Sequence, residues 1–254
     1  MSFATVARDR ISQLRRVLDA PSPSGAAVRL LAWALPLAVL TASIAKALAP
    51  DGVLLATSLF AVMAAMAVAG LRNAYAHPRL GLCNMVTLSR AALTSSLVAP
   101  LAAPEPIADD AAWLVVAVAT IALALDGVDG WLARRDRLAS PFGARFDMEV
   151  DAALGLVLAL LVLASGKLGP WVLALGSMRY LYVAAGLALP WLNGPLPEAY
   201  RRKAICVVQI AALIALNAPA ISGMTATILA AAATLALGWS FAIDIMSLAR
   251  RRHS

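Results

Sequence analysis

The stretch that decides the fold runs from residue 111 to residue 165: AAWLVVAVATIALALDGVDGWLARRDRLASPFGARFDMEVDAALGLVLALLVLAS. Two apolar runs, 111–125 and 150–165, flank a connection dense in charged residues. Runs of this length approach the roughly 20 residues that a helix needs to cross a bilayer. The stretch therefore predicts two membrane helices joined by a charged connection, with acidic side chains at the ends that meet it.

The rest of the chain repeats this pattern of apolar runs and polar breaks. Of the 254 residues, 62% are hydrophobic and 14% are charged, whereas soluble domains average about 45–50% and about 25%. This composition excludes a soluble globular protein. We predict an all-α fold, a polytopic membrane helix bundle with about eight transmembrane helices. Their expected positions are 26–48, 52–71, 85–103, 111–125, 150–165, 170–189, 204–218 and 224–248.

The basic residues mark one side of the predicted membrane. The chain has 21 Lys and Arg against 14 Asp and Glu, for a net charge of +7. Eighteen of those 21 lie in the N-terminal segment, in the C-terminal tail or in every second connection. By the positive-inside rule, both termini and these connections face the cytoplasm. Topology and attraction to anionic membrane lipids explain the surplus, so we expect no nucleic-acid partner.

Three further features bear on the compartment. Arginine outnumbers lysine 18 to 3, a bias typical of GC-rich bacterial genomes, so we expect an integral protein of the bacterial inner membrane. Cys83 and Cys206 match no metal-ligand spacing and are too few for a disulfide framework. Residues 1–25 lack the short apolar core of a signal peptide. We expect them to form a cytoplasmic N-terminal segment.

Four aspartates lie where the fourth and fifth predicted helices, 111–125 and 150–165, meet the connection between them. Asp126 and Asp129 are three residues apart, and Asp147 and Asp151 are four apart. These spacings place each pair on one helical face, so two adjacent antiparallel helices can direct four carboxylates into one gap. Such close like charges repel each other, and their desolvation is costly.

Metal ions would relieve this repulsion. Two Mg²⁺ ions, or two Mn²⁺ ions, balance four carboxylates, and oxygen ligands without a nearby histidine favour these hard cations. Two metal ions about 3.5–4 Å apart are a recurrent arrangement for phosphoryl transfer. The alternative is an interfacial acidic cluster that pairs with the arginines of the connection.

The spacing also resembles the signature of the CDP-alcohol phosphotransferase family. The matching residues are Asp126-x2-Asp129-Gly130-x2-Ala133-Arg134-x8-Gly143-x3-Asp147-x3-Asp151. A second element, Asn84-x2-Thr87-x2-Arg90, is similar to the family's Asn-x-x-Thr-x-x-Arg at the start of its first core helix. The family core has six transmembrane helices. The resemblance thus implies a core at 80–254, two additional N-terminal transmembrane helices within 26–79, and the segment 1–25 before them.

The resemblance implies a role for each matching residue. The implied metal ligands are Asp126, Asp129, Asp147 and Asp151. Asp151 would also be the general base that takes the proton of the acceptor hydroxyl. The implied CDP contacts are Asn84, Thr87, Gly130, Ala133, Arg134 and Gly143, with the glycines and the alanine making room for the cytidine. Arg90 fits either a nucleotide contact or a topological anchor at a helix end.

The implied reaction transfers a phosphatidyl group from CDP-diacylglycerol to a small polar alcohol and releases CMP, as in phospholipid biosynthesis. The partners would be this CDP-linked lipid donor, the alcohol acceptor, membrane lipids and a second copy of the chain in a homodimer. One alternative is a CDP-choline or CDP-ethanolamine donor with a lipid alcohol as acceptor. Another, from a different class, is a cation-coupled membrane transporter.

Two basic residues are candidates for binding the acceptor or its phosphate. Arg179 lies near the middle of a predicted span, where an arginine is costly and therefore points to a function. Lys203 precedes the seventh span. The structural alternatives are an ion pair for Arg179 and positive-inside anchoring for Lys203.

Overall fold

The computed structural model describes residues 23–74, 80–104, 107–136, 140–194 and 200–252. Within these ranges the fold is all helical, with eight α-helices and no strand, which confirms the predicted class. The helices are α1 (Pro23–Leu48), α2 (Val53–Ala74), α3 (Leu82–Ser96), α4 (Asp109–Asp136), α5 (Pro141–Ala164), α6 (Leu173–Ala188), α7 (Tyr200–Asn217) and α8 (Gly223–Arg252). The predicted N-terminal segment lies, except for residues 23–25, outside the described residues.

Six of the described helical stretches are long and apolar enough to cross a membrane. They are Gly25–Leu48, Pro50–Leu71, Leu82–Ala102, Asp109–Leu132, Pro170–Ala188 and Gly223–Arg250. α5 and α7 are not among these six candidate spans. Charged residues occupy their N-terminal parts, among them Asp151 in α5 and Arg201 in α7. The chain is thus an integral membrane protein by the length and composition of its helices, while the crossing of α5 and α7 stays a prediction.

The two helices of the opening stretch are longer than the apolar runs predicted. α4 continues to Asp136, beyond residue 125, and α5 begins at Pro141, before residue 150. An apolar run marks only the part of a helix suited to hydrocarbon, whereas the backbone hydrogen bonds continue to the next break. That break ends at Ser140, whose Oγ accepts a hydrogen bond from the Gly143 N–H at 3.0 Å and so caps α5. All four aspartates therefore lie inside regular helix.

α3 is the most enclosed of the six candidate spans. Of its membrane window, 72% is buried inside the bundle, against 22–33% for the other five. α3 packs against α1, α2, α4 and α5. One of its faces carries Thr87 and Arg90 toward α4 and α5, and the other packs Leu88, Ala91 and Ala92 into a core shared with α1 and α2. This position makes α3 the central support of the aspartate region.

α1 and α2 form a hairpin that covers the outer side of α3. The hydroxyl of Thr41 in α1 lies 3.3 Å from the carbonyl oxygen of Ala92 in α3. Near the end of α2, Gly70 lies so close to Phe142 that a Cβ added to the glycine would be 2.0 Å from the ring. The hairpin therefore contacts both α3 and the first turn of α5.

α4 and α5 face each other across a gap instead of packing side by side. Both helices pack against α3 and both pack against α7, while their direct contact is minor. They nevertheless direct their carboxylates into one gap, as the residue spacing predicted. α3 brings the guanidinium of Arg90 to a position between these carboxylates.

Candidate active site

The four signature aspartates share one gap between α4 and α5. Carboxylate oxygens of Asp126, Asp129 and Asp147 all lie within 4.8 Å of one another. Asp151 follows one turn after Asp147 on the same helix, and its carboxylate contacts the same arginine as the other three. Asp129 is buried and the other three are partly buried. The structure thus brings the two predicted pairs together.

The guanidinium of Arg90 lies at the centre of this aspartate cluster. Its Nη1 is 3.2 Å from Asp126 Oδ1 and 2.9 Å from Asp129 Oδ2, and it also pairs with Asp147. Its Nη2 pairs with Asp151. Arg90 has 0% exposure, so these ion pairs lie inside the protein. The sequence left Arg90 as either a nucleotide contact or a topological anchor, and its position among the aspartates was not predicted.

One guanidinium does not balance four carboxylates. With all four ionised, the aspartate cluster carries a formal charge of −3 on side chains that are buried (Asp129) or partly buried (the other three). Buried charges are stable only when they are paired and hydrogen-bonded or bind a metal. The donor set is carboxylate oxygen alone, which Mg²⁺ and Mn²⁺ prefer. The residues present therefore fit a divalent metal site.

Two polar residues precede Arg90 on α3. The Thr87 hydroxyl is 3.1 Å from Asp129 Oδ2 and can donate to it, which ties α3 to α4. Asn84 is only 3% exposed, and among the described residues its Nδ2 has no hydrogen-bond partner. An unsatisfied buried donor is costly unless a ligand or a water molecule accepts from it. Asn84 thus points to a bound group beside the aspartate cluster.

Gly143 lies against Asn84 in the first turn of α5. A Cβ at Gly143 would be 3.2 Å from Asn84 Oδ1 and 3.1 Å from Ser140 Oγ, closer than side chains ordinarily approach. The glycine therefore lets α5 come close to α3. Gly130 is half-buried on α4. Ala133 and Arg134 follow on α4, but their side chains lie outside the described part of the structure. Their roles as CDP contacts therefore stay predictions.

The two predicted acceptor residues make no described contact with the aspartates. Arg179 Nη2 pairs with Glu149 Oε1 at 2.5 Å. Glu149 lies two residues from both Asp147 and Asp151, and residues two apart point in different directions on a helix. Lys203 is exposed on α7. The structural alternative for Arg179, an ion pair, is thus observed, and the acceptor roles of both residues stay predictions.

A second ion cluster, which sequence reasoning missed, joins α7 to α8. Asp244 is buried and pairs with Arg201 Nη2 at 2.5 Å and with Arg202 Nη1 at 3.4 Å. Arg201 Nη1 also donates to the carbonyl of Ser240 at 2.7 Å, and its guanidinium lies 5.7 Å from the ring centroid of Trp239. No motif identified this pairing, because more than 40 residues separate Asp244 from the two arginines.

A cavity of about 410 Å³ lies at the opposite end of the bundle, beside Asp109 and Lys167. Along α4, the 17 residues from Asp109 to Asp126 correspond to about 26 Å of helix. The Lys167 ammonium donates there to the carbonyl oxygens of Leu216 and Ala218, at 3.2 and 2.6 Å. This cavity is too distant to belong to the aspartate cluster, so the candidate active site is defined by the carboxylates.

Comparison with known proteins agrees with this geometry. No curated protein and no solved structure gives a significant match. A family model described as CDP-alcohol phosphatidyltransferase matches residues 80–243, more than half of the chain. The matched part begins just before α3, ends within α8 and holds all four aspartates with Asn84, Thr87 and Arg90. Since a match of this extent is diagnostic, the chain belongs to the CDP-alcohol phosphatidyltransferase family.

Proposed function

We propose that this protein is a Mg²⁺-dependent membrane transferase that moves a phosphatidyl group from CDP-diacylglycerol to a small polar alcohol and releases CMP. Family membership already gives the coarser statement, an enzyme that transfers a phosphatidyl-type group from a CDP-alcohol to an alcohol. The observation that supports the metal dependence is the convergence of Asp126, Asp129 and Asp147 within 4.8 Å, with Asp151 one turn away. The choice of CDP-diacylglycerol as donor is supported by the arginine-rich, bacterial-type composition.

In this proposal the metal ligands are Asp126, Asp129, Asp147 and Asp151. Mg²⁺ or Mn²⁺ bound there would neutralise the diphosphate of the donor and stabilise the charge on the departing CMP. Four ionised carboxylates carry a formal charge of −4, which two dications balance; this balance supports two ions and counts the carboxylates alone, without the guanidinium of Arg90.

Asp151 is the proposed general base. The family resemblance assigns this role to Asp151, and its side chain keeps 20% exposure, between Asp126 at 17% and Asp147 at 33%, so an acceptor hydroxyl can approach it. A base must lie within hydrogen-bond reach of the proton that it takes. Its Oδ1 pairs with the same arginine as the other three carboxylates, so Asp151 lies beside the proposed metal ligands. Asp151 would then receive the hydroxyl proton as the acceptor oxygen attacks the phosphorus and the bond to CMP breaks.

The nucleotide would lie between the start of α3 and the start of α5. Asn84 Nδ2 is free among the described residues to donate to an acceptor atom of the cytidine or its phosphates. Gly143 lets α5 approach Asn84 closely, since a Cβ there would lie 3.2 Å from Asn84 Oδ1, and the family resemblance assigns this glycine to the space for the cytidine. Thr87 acts indirectly in this proposal, since its hydroxyl lies against Asp129 and orients that carboxylate.

We place this site at the cytoplasmic face of a bacterial inner membrane. The support is the charge distribution, in which 18 of 21 basic residues lie on the side of the α4–α5 connection. A water-soluble product such as CMP would leave directly into the cytoplasm from there. A homodimer is proposed from the family resemblance alone.

The experiment that tests this function is reconstitution of the purified full-length chain in liposomes with Mg²⁺. CDP-diacylglycerol, CDP-choline and CDP-ethanolamine are each offered with a panel of alcohols, and the release of CMP is measured. We expect release from CDP-diacylglycerol that needs both Mg²⁺ and an acceptor. Release only from CDP-choline or CDP-ethanolamine with diacylglycerol would establish the alternative donor. Cation flux without any nucleotide, and no CMP, would instead establish a transporter.

A further inference from the structure

We propose that Arg90 is a resident counter-cation of the aspartate cluster, and that divalent ions bind there by displacing its guanidinium. The inference rests on the proposed metal-dependent function and adds a residue that sets how tightly the metal is held. The sequence left Arg90 as either a nucleotide contact or a topological anchor. The proposed role differs from both, because Arg90 here binds the metal ligands.

The geometry of Nη1 is the first argument. This nitrogen pairs with Asp126, Asp129 and Asp147, the same three residues whose oxygens lie within 4.8 Å of one another. A divalent ion held by those carboxylates would take the space between them that Nη1 now occupies, so the ion and the guanidinium would exclude each other.

The attachment of Arg90 is the second argument. Its Nε donates to the carbonyl oxygen of Ala122 at 3.1 Å, one turn before Asp126 on α4. Its backbone belongs to α3, which the neighbouring helices enclose. The helix is thus fixed, but an arginine side chain has several rotatable bonds and strong donors at its far end. The guanidinium can leave the carboxylates by rotamer changes while α3 stays in place.

Charge is the third argument. Four carboxylates without any cation would repel each other in a partly dry gap, and an unpaired buried charge is strongly destabilising. Arg90 contacts every one of the four, so it holds the ligand set together while metal is absent. An entering ion must replace those charge-assisted hydrogen bonds. Arg90 therefore lowers the affinity for metal while keeping its ligands assembled.

The test measures metal binding directly, with Mn²⁺ as the probe and electron paramagnetic resonance as the readout. The full chain in detergent is compared with Arg90→Met, which keeps a similar apolar stem but no charge. We expect Arg90→Met to bind Mn²⁺ at least about tenfold more tightly than the unaltered chain, because no guanidinium competes. The metal-free variant should also unfold at a lower temperature, and saturating Mn²⁺ should restore most of the difference.

Arg201→Met is the matched control. It removes a guanidinium from the other ion cluster, at α7 and α8, and should leave Mn²⁺ affinity within about twofold because the aspartates keep all their partners. Arg90→Lys keeps the charge on a single ammonium that cannot bridge both edges of the cluster, and it should bind Mn²⁺ with intermediate affinity. If Arg90→Met folds only with metal present, Mn²⁺ binding by Arg90→Lys provides the test instead.

Two outcomes overturn the inference in different ways. Unchanged or weaker Mn²⁺ binding in both Arg90 variants shows that the guanidinium does not compete, and the inference fails while the proposed function stands. Failure of the unaltered chain to bind Mn²⁺ refutes the metal-dependent function and the inference with it.

Discussion

The bundle holds two ion clusters with opposite charge balance. In the aspartate cluster, four carboxylates surround one fully buried guanidinium. In the α7–α8 cluster, two arginines surround the single carboxylate of Asp244, and their side chains keep 22% and 31% exposure to solvent. The surplus charge of the aspartate cluster is −3 and lies on carboxylates with 5–33% exposure, whereas that of the α7–α8 cluster is +1. The sign and size of the surplus charge, rather than the presence of Arg–Asp pairs, distinguish a candidate metal site from a structural support.

The largest expected effect comes from neutralising the proposed base. Asp151→Asn should lower CMP release at least ~100-fold, because an amide cannot accept the proton of the acceptor hydroxyl. The measurement is CMP release from liposomes, with folding checked by size-exclusion chromatography and circular dichroism. Glu149→Gln, two residues earlier on α5, is the matched control and should keep its activity. Equal activity of Asp151→Asn and the unaltered chain would contradict the role of Asp151.

Removal of metal should destabilise the protein through the aspartate cluster and not through the α7–α8 cluster. We expect saturating Mg²⁺ to stabilise the unaltered chain by about 2–3 kcal/mol at ~100 times its dissociation constant, since it binds only the folded ligand set. Asp147→Asn should lose most of this gain, whereas Asp244→Asn should keep it. Thermal unfolding in detergent, with Mg²⁺ or with EDTA, measures the difference. If Mg²⁺ no longer stabilised Asp244→Asn, both clusters would respond to metal, and the proposed difference between them would be wrong.

Asp244→Asn should destabilise the protein without changing its catalytic activity. The change leaves two arginines without their carboxylate, but both are partly exposed, so the expected loss is about 1–2 kcal/mol rather than the full penalty of a buried pair. Chemical unfolding monitored by tryptophan fluorescence measures this loss. CMP release per folded molecule should remain within about twofold of the unaltered chain. A tenfold fall in activity at unchanged stability would show that the α7–α8 cluster belongs to the active site.

The smallest effect is expected at the ion pair between Arg179 and Glu149. Both side chains are about a third exposed or more, and exposed pairs contribute about 0–1 kcal/mol. Glu149→Gln should thus shift the free energy of unfolding by less than ~1 kcal/mol. The same unfolding experiment gives the value. A larger loss would indicate that this pair supports α5 as strongly as Arg90 does.

Much of the active site followed from local spacing. The intervals between Asp126 and Asp129 and between Asp147 and Asp151 placed each pair on one face of a helix, and the structure shows both pairs facing one gap. The motif of Asn84, Thr87 and Arg90 was identified by its resemblance to the family. The contacts of Arg90 were not predictable, since Arg90 and Asp151 are 61 residues apart and meet only through helix packing.

The same limit applies to the packing of the helices. α4 and α5 are consecutive in the sequence, yet each packs mainly against α3 and α7, and the two face each other across the gap that holds the aspartates. The hairpin of α1 and α2 precedes the region that matches the family, and the contact of its Gly70 with Phe142 at the beginning of α5 had no signal in the sequence. A single sequence specifies how long and how apolar each segment is. It does not specify which helix lies beside which.

By itself, then, the sequence determined that this protein is a membrane helix bundle with four aspartates at the ends of two spans. Those properties depend on contiguous residues, through the length of apolar runs and the 3.6-residue turn of the helix. Only the tertiary structure decided that one arginine lies among all four carboxylates and that two other arginines pair with Asp244. Ion pairing acts over a few ångströms in space, so the packing of distant helices alone selects the partners.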